Sequence, residues 1–75
     1  MQVRKIKLNA AEDVEEFVNG ASRCDFDVDV CYNRVLIDAK SILGVLSMDL
    51  SRVLTVKCHG ESRDFERLLA KFAVA

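Results

Sequence analysis

The chain has 75 residues, of which 51% are hydrophobic and 31% are charged, and its formal net charge is −1. This length allows one domain, spanning residues 1–75, and no second core. The dispersed basic residues and the absence of an apolar run of ~20 residues argue against a nucleic-acid-binding protein, a membrane-surface protein and a membrane-spanning protein.

The first half of the chain predicts a strand, a helix and a second strand. Residues 2–8 (QVRKIKL) alternate between basic and apolar side chains, which is typical of a strand. Asn9 followed by Glu12 resembles a capping box and predicts that a helix begins at Asn9. Residues 26–32 (FDVDVCY) alternate apolar side chains with aspartates and predict a half-buried strand.

The second half predicts a return strand, a short helix, a strand and a final helix, over residues 34–39, 41–48, 52–58 and 61–74. Asn33 and Arg34 can form the tight turn before the return strand, because asparagine tolerates positive φ. The element order is β-α-β-β-α-β-α, and every helix is amphipathic. We therefore expect an α+β fold, an open-faced sandwich with three helices on one face of a four-stranded antiparallel sheet.

Ser41 precedes the short helix and has two interpretations. As the N-cap of that helix, its hydroxyl would contribute about 1 kcal/mol to stability. As a phosphorylation site, it would add roughly −1.5 to −2 charges at the positive end of the helix dipole. The residues alone do not choose between these interpretations.

The short helix carries more apolar side chains than one helical face can bury, namely Ile42, Leu43, Val45, Leu46 and Met48. The first interpretation is that some of them form an exposed apolar patch that binds a protein partner. The alternative is a helix sunk deeply into the core. We take Lys40, Ile42, Leu43, Leu46 and Met48 as candidate partner-binding residues.

No constellation of residues indicates an enzyme, a cofactor site or a small-molecule substrate. His59 is the single histidine, and there is no G-x-S-x-G turn to supply a nucleophilic serine. Asp25, Asp27 and Asp29 would stand about 7 Å apart along a strand face, which does not suit a calcium loop. We expect them to form a solvated face, paired with lysines of a neighbouring strand, and we expect no metal site.

The cysteines and the N-terminal stretch bear on the compartment. Three cysteines occur, with no C-x-x-C spacing, which argues against a secreted disulfide framework and against zinc. The stretch MQVRKIKLN lacks the uninterrupted apolar region of a signal peptide. We therefore expect a cytoplasmic protein with unpaired cysteines.

The runs YNRVLIDAKSILGVLSMDLS and LTVKCHGE resemble the HPr family, the small phosphocarrier proteins of the bacterial sugar phosphotransferase system. The resemblance implies an open-faced βαββαβα sandwich with two phosphorylation sites. The carrier histidine, its arginine and its proline would fall on Ala10, Glu12 and Asp13. Because none of the three is retained, the resemblance implies a paralogue without histidine phosphocarrier activity.

The second family site, a regulatory serine, matches Ser41, and the surrounding motif matches Lys40, Ile42, Leu43 and Leu46. The resemblance implies protein partners, including HPr kinase and a catabolite-control transcription factor. Three hypotheses follow: a regulatory protein switched at Ser41, an interaction domain that is not phosphorylated, and a phosphocarrier that uses another nucleophile such as His59. We rank them in the order first, second, third.

Overall fold

The computed structural model describes residues 1–74, which form four strands and three helices. The strands β1, β2, β3 and β4 are Gln2–Ile6, Val28–Tyr32, Val35–Asp38 and Leu54–Cys58. The helices α1, α2 and α3 are Ala11–Ser22, Ile42–Leu46 and Arg63–Phe72. The predicted order β-α-β-β-α-β-α and the α+β class are confirmed.

The strands form one antiparallel sheet in the order β1-β4-β2-β3. The last strand, β4, pairs with both β1 and β2, so it lies inside the sheet while β1 and β3 form its edges. Tyr32 pairs with Val35 across a two-residue connection, and Asn33 has a φ of 51°. The predicted turn at Asn33 and Arg34 is confirmed, because asparagine tolerates this left-handed conformation.

The core lies between one face of the sheet and the helices. Alternate strand residues such as Ile6, Val30 and Val56 are fully buried there, as period-2 geometry requires. Phe17 of α1 and Phe65 of α3 meet in this core with their ring centroids 6.0 Å apart. None of the helices within residues 1–74 is long and apolar enough to cross a membrane.

Three predicted strand boundaries were wrong by two residues, and one of them is the start of β4, which lies at Leu54 rather than at residue 52. The first strand ends at Ile6 rather than at residue 8, although Leu8 is still buried. The second strand begins at Val28 rather than at residue 26. Phe26 lies in a bend before it, packed so closely against Gly60 that a Cβ there would be 2.4 Å from the ring. Packing against the chain after β4 therefore overrides the local alternation.

The segment after α3 turns back along the edge of β1. The backbone N–H of Lys7 donates to the carbonyl of Phe72 at 3.0 Å, and that of Val74 donates to the carbonyl of Lys5 at 3.1 Å. Ile6 and Ala73 form an isolated antiparallel bridge between these two hydrogen bonds. The C-terminal half of β1 is thereby paired on both sides.

Candidate functional site

Ser41 is the N-cap of α2, and the predicted cap is confirmed. Its backbone is extended, with φ −101° and ψ 106°, and its Oγ accepts a hydrogen bond from the backbone N–H of Gly44 at 3.2 Å. The side chain is exposed. The hydroxyl therefore stabilises the start of α2 while its remaining lone pair and proton face solvent.

The backbone before Ser41 is held by two further contacts. The Asp38 carboxylate accepts a hydrogen bond from the backbone N–H of Lys40 at 2.9 Å, and the Asp38 carbonyl accepts one from the N–H of Ser41 at 3.0 Å. The ammonium of Lys40 donates to the carbonyl of Cys24 at 2.9 Å. An aspartate two residues before a turn residue is a known sequence signal for such a turn. The Lys40 contact has no such signal, because its acceptor is 16 residues away.

Helix α2 buries one side and exposes the other. Val45 is fully buried, whereas Leu43 is 78% exposed, Leu46 46% and Ile42 37%. We call Ile42, Leu43 and Leu46 the α2 patch. Met48, which the sequence placed among the candidate partner-binding residues, is 94% buried because it follows the end of the helix and turns into the core. The predicted exposed patch is thus present on one side of α2, while Val45 and Met48 are buried as the alternative interpretation required.

Glycine is required inside α2 because β3 approaches it closely. A Cβ at Gly44 would lie 2.7 Å from Cγ2 of Ile37, and 3.1 Å from Oγ of Ser41. No ordinary pair of carbon atoms approaches this closely, so a side chain at Gly44 would displace Ile37. The absence of a side chain therefore lets α2 rest on β3 and keeps the Ser41 cap intact.

The chain leaving α2 is organised around Asp49. Its carboxylate accepts hydrogen bonds from the hydroxyl of Ser51 at 2.6 Å, from the backbone N–H of Ser51 at 3.1 Å and from Nε of Arg52 at 3.2 Å. These bonds, led by the Ser51 hydroxyl, lower the pKa of Asp49 below its ordinary value. The N–H of Asp49 donates to the hydroxyl of Tyr32 on β2 at 3.2 Å, which fixes this end of α2 against the sheet.

The start of α1 differs from the sequence prediction. The N-cap is Ala10 rather than Asn9, so the predicted capping box was wrong. Asp13 supplies the contact instead, since its Oδ2 accepts hydrogen bonds from the backbone N–H groups of Asn9 at 3.0 Å and Ala10 at 3.2 Å. Glu12 is exposed beside it. The carboxylate of Asp13 thus holds the two backbone N–H groups that precede the helix, and together with Glu12 it places negative charge at the helix N-terminus.

His59 lies at the far end of β4, next to the residue that pairs with Gln2 at the start of β1. Its Nε2 is 3.0 Å from Oδ2 of Asp29, a contact that the sequence did not predict. Asp25 and Asp27 precede β2, so the three aspartates do not share one strand face as expected. Only Asp29 is opposite a lysine, Lys57 of β4.

Within residues 1–74 no group of three or more histidine, cysteine or acidic side chains is arranged to hold a metal ion. The thiols of Cys24 and Cys58 are buried in the core, and burial raises the pKa of each above its ordinary value. Protonated buried thiols are poor nucleophiles and poor metal ligands. Ser41 and the α2 patch are exposed and lie next to each other, and they form the candidate site that the sequence predicted.

Comparison with known proteins identifies the fold. No family model matches the chain, and no curated protein matches it. Among solved structures, the crystal structure of the phosphocarrier protein HPr from Bacillus anthracis str. Ames superimposes with a TM-score of 0.71 at 21% sequence identity. The match covers 95% of each chain. The molecule therefore has the HPr fold, and at this identity the likeness carries no information about activity.

Proposed function

We propose that this chain is a non-catalytic, HPr-like regulatory protein of the cytoplasm that binds a protein partner through the α2 patch. In this proposal Ser41 is the phosphoacceptor that controls binding. HPr kinase is the proposed modifying enzyme, and a catabolite-control transcription factor is the proposed class of partner.

The observation that carries the proposal is the position of Ser41 at one end of an exposed apolar surface. Its hydroxyl is accessible, it makes one hydrogen bond to Gly44, and it directly precedes Ile42 and Leu43 of the patch. Phosphorylation would place roughly −1.5 to −2 charges beside these apolar side chains. A partner surface that carries arginine would gain affinity, and a purely apolar one would lose it.

The start of α1 supports the non-catalytic part of the proposal. Ala10 offers no nucleophile, and the acidic side chains of Glu12 and Asp13 in the first turn would repel a phosphate from this helix N-terminus. His59 is the nucleophile that we considered for a phosphocarrier. It is bonded to Asp29 near the start of β1, whereas α1 follows the other end of that strand. We therefore rank phosphocarrier activity last.

Incubation with HPr kinase and ATP tests the switch. The wild-type chain should gain one phosphate by mass spectrometry, and the Ser41→Ala variant should gain none. Ser47→Ala is the matched control, since Ser47 is also exposed and lies at the other end of α2. Absence of phosphate on the wild-type chain, or phosphate that persists in Ser41→Ala, would contradict the proposal.

A second candidate function is an interaction domain that is never phosphorylated. It is favoured by the 78% exposure of Leu43, which does not depend on Ser41. A partner isolated with the wild-type chain should then be lost in Leu43→Asp and retained in Ser41→Asp. Leu36→Asp is the control, because Leu36 is 59% exposed on β3 outside the α2 patch.

Incubation with phosphoenolpyruvate and the first enzyme of the phosphotransferase system tests the remaining hypothesis. We expect no acid-labile phosphate on this chain. Acid-labile phosphate that is lost in His59→Ala would establish a phosphocarrier and replace both proposals above.

A further inference from the structure

The N-terminal half of β1 presents unpaired backbone groups at the edge of the sheet. The backbone groups of Lys5 and Lys7 bond the C-terminal segment of the chain, so in β1 the backbone N–H and C=O groups of odd-numbered residues point away from β4. In an antiparallel strand the N–H and C=O of one residue point to the same side, and the side alternates along the chain. The N–H of Val3 therefore points away from β4, and within residues 1–74 it has no backbone partner.

At its C-terminal half, the same edge of β1 already pairs with an extended segment of the chain. Ala73 pairs with Ile6 in antiparallel register, and the N–H of Val74 bonds the carbonyl of Lys5. An extended segment that continues this register toward residue 2 would meet the N–H and the carbonyl of Val3. The carbonyl of Val3 accepts a hydrogen bond from the guanidinium of Arg4 at 3.0 Å, and its second lone pair remains available.

Basic side chains flank this edge on both faces of the sheet. On the helical face, Arg4, Arg63 and Arg67 line a shallow groove between β1 and α3, with Glu66 as the acid among them. Glu66 is bonded to Arg4 at 3.1 Å, whereas Arg63 and Arg67 are exposed and form no ion pair within the described residues. The groove therefore carries an excess of positive charge, although Glu61 lies near it with its carboxylate 3.5 Å from Nε2 of Gln2, and although the whole chain has a net charge of −1.

On the solvent face of the sheet, Lys5 is exposed on β1, and Lys57 lies opposite Val3 on β4. Side chains of an added strand would alternate between the two faces. On one face they would lie beside Arg63 and Arg67, and on the other they would lie beside Lys5, with Lys57 one strand further away. Both sets favour carboxylates.

We propose that the N-terminal half of β1 docks an extended acidic segment of a partner protein, which adds to the sheet as a fifth strand. The hydrogen-bonding groups of Val3 provide the pairing, and the basic residues on the two faces select acidic side chains. A second copy of this chain is disfavoured because two basic edges would repel each other. This surface is separate from the α2 patch and does not depend on the proposed function.

Binding of a fluorescein-labelled, acetylated octapeptide of glutamate and valine, with glutamates on both faces, tests the proposal by fluorescence anisotropy at low salt. Arg67→Glu should weaken binding about fivefold, as expected for reversing one charge near a bound acidic chain. Arg34→Glu is the matched control, since Arg34 is an exposed arginine in the turn before the opposite edge strand, β3. We expect it to leave the affinity unchanged.

Substitution at Val3 tests strand addition itself. Val3→Pro removes the outward N–H without removing a hydrogen bond to β4, and proline is tolerated at such edge positions. It should abolish binding, whereas Val3→Ala, which keeps the N–H, should bind like the wild-type chain. If Val3→Pro fails to fold, as judged by its ¹H–¹⁵N spectrum, the Arg67→Glu and Arg34→Glu pair decides the outcome.

The location of the bound peptide supplies the remaining readout. Amide chemical shifts should change at Val3 and Lys5 on β1 and remain unchanged across α2. The proposal is overturned by no binding to the wild-type chain, by equal losses in Arg67→Glu and Arg34→Glu, by unchanged binding to a folded Val3→Pro variant, or by shifts confined to α2. Tighter binding of a single-stranded oligonucleotide of equal charge would assign the edge to a nucleic acid instead and would also overturn it.

Discussion

The ammonium of Lys40 donates a hydrogen bond to the carbonyl of Cys24 at 2.9 Å and thereby joins the residue before Ser41 to the end of α1. Cys24 itself is buried, and its thiol lies 3.6 Å from the carbonyl of Gly20 in the last turns of that helix. The loop that presents Ser41 is therefore anchored to the helical layer and not only to the sheet.

Loss of this anchor should destabilise the fold. We expect Lys40→Met to lower the free energy of unfolding by about 1–2 kcal/mol, because a charge-assisted hydrogen bond is lost and a partly buried carbonyl loses its partner. Urea unfolding followed by circular dichroism measures this change. Lys5→Met, at an exposed position on β1, should change stability far less. Equal effects of the two substitutions would show that the Lys40 contact contributes nothing.

Two substitutions at Ser41 distinguish the stability that its N-cap provides from its proposed role as a phosphoacceptor. Ser41→Ala should lower the free energy of unfolding by about 1 kcal/mol, since the N–H of Gly44 loses its acceptor. Ser41→Asp should retain most of the wild-type stability, because aspartate is an equally good N-cap. Thermal unfolding of both variants checks this order. A Ser41→Asp protein as unstable as Ser41→Ala would contradict it.

Glycine at position 44 should be better than alanine, against the usual helical preference. In an exposed helix, alanine is about 1 kcal/mol more favourable than glycine. Here Gly44→Ala should destabilise the protein, because the new Cβ would lie 2.7 Å from Cγ2 of Ile37. Urea unfolding of Gly44→Ala, Ile37→Ala and the double variant measures the coupling. The cost of Gly44→Ala should shrink or reverse once Ile37 is truncated, and an unchanged cost would refute the close approach.

The carboxylate at the start of α1 should contribute to stability more than its neighbours do. Asp13→Ala should lower the free energy of unfolding by about 1 kcal/mol, because the N–H groups of Asn9 and Ala10 lose their acceptor. Glu12→Ala, which removes an exposed acid from the same turn, is the control and should cost a few tenths of a kcal/mol. Urea unfolding compares the two, and the reverse order would contradict this prediction.

The buried thiols should make the fold sensitive to alkali. Burial raises the pKa of Cys24 and of Cys58 in the folded state, so at high pH the unfolded chain loses these protons first. Their contribution to stability is therefore complete below the ordinary thiol pKa of roughly 8.5, and it is lost as the pH rises through the folded values.

Urea unfolding from pH 7 to pH 10 measures this dependence. The Cys24→Ala, Cys58→Ala double variant should lose less stability over this range than the wild-type chain does. Val35→Ala is the control, since Val35 is exposed on β3 and its side chain does not titrate, so the wild-type slope should be unchanged. Parallel pH profiles for all three proteins would contradict the prediction.

The local sequence pattern was sufficient to predict a helix or strand where one face of that element is exposed to water and the other face packs in the core. The element order, the turn at Asn33 and the cap at Ser41 could all be predicted, because each depends on residues within a few positions of one another. The surplus of apolar residues in 41–48 also indicated that some of them would be exposed. Which ones are exposed could not be predicted, because Met48 turns inward only when the exit of α2 is fixed by Asp49 and Tyr32.

Sequence alone determined the α+β class, the strand and helix order and the serine that opens α2. Tertiary structure alone decided that Asp13 bonds the backbone before α1, that His59 contacts Asp29, and that basic residues of β1 and α3 flank one sheet edge. The physical reason is distance along the chain. Propensity and periodicity act over a few residues, whereas these contacts join groups that only the sheet order β1-β4-β2-β3 brings together.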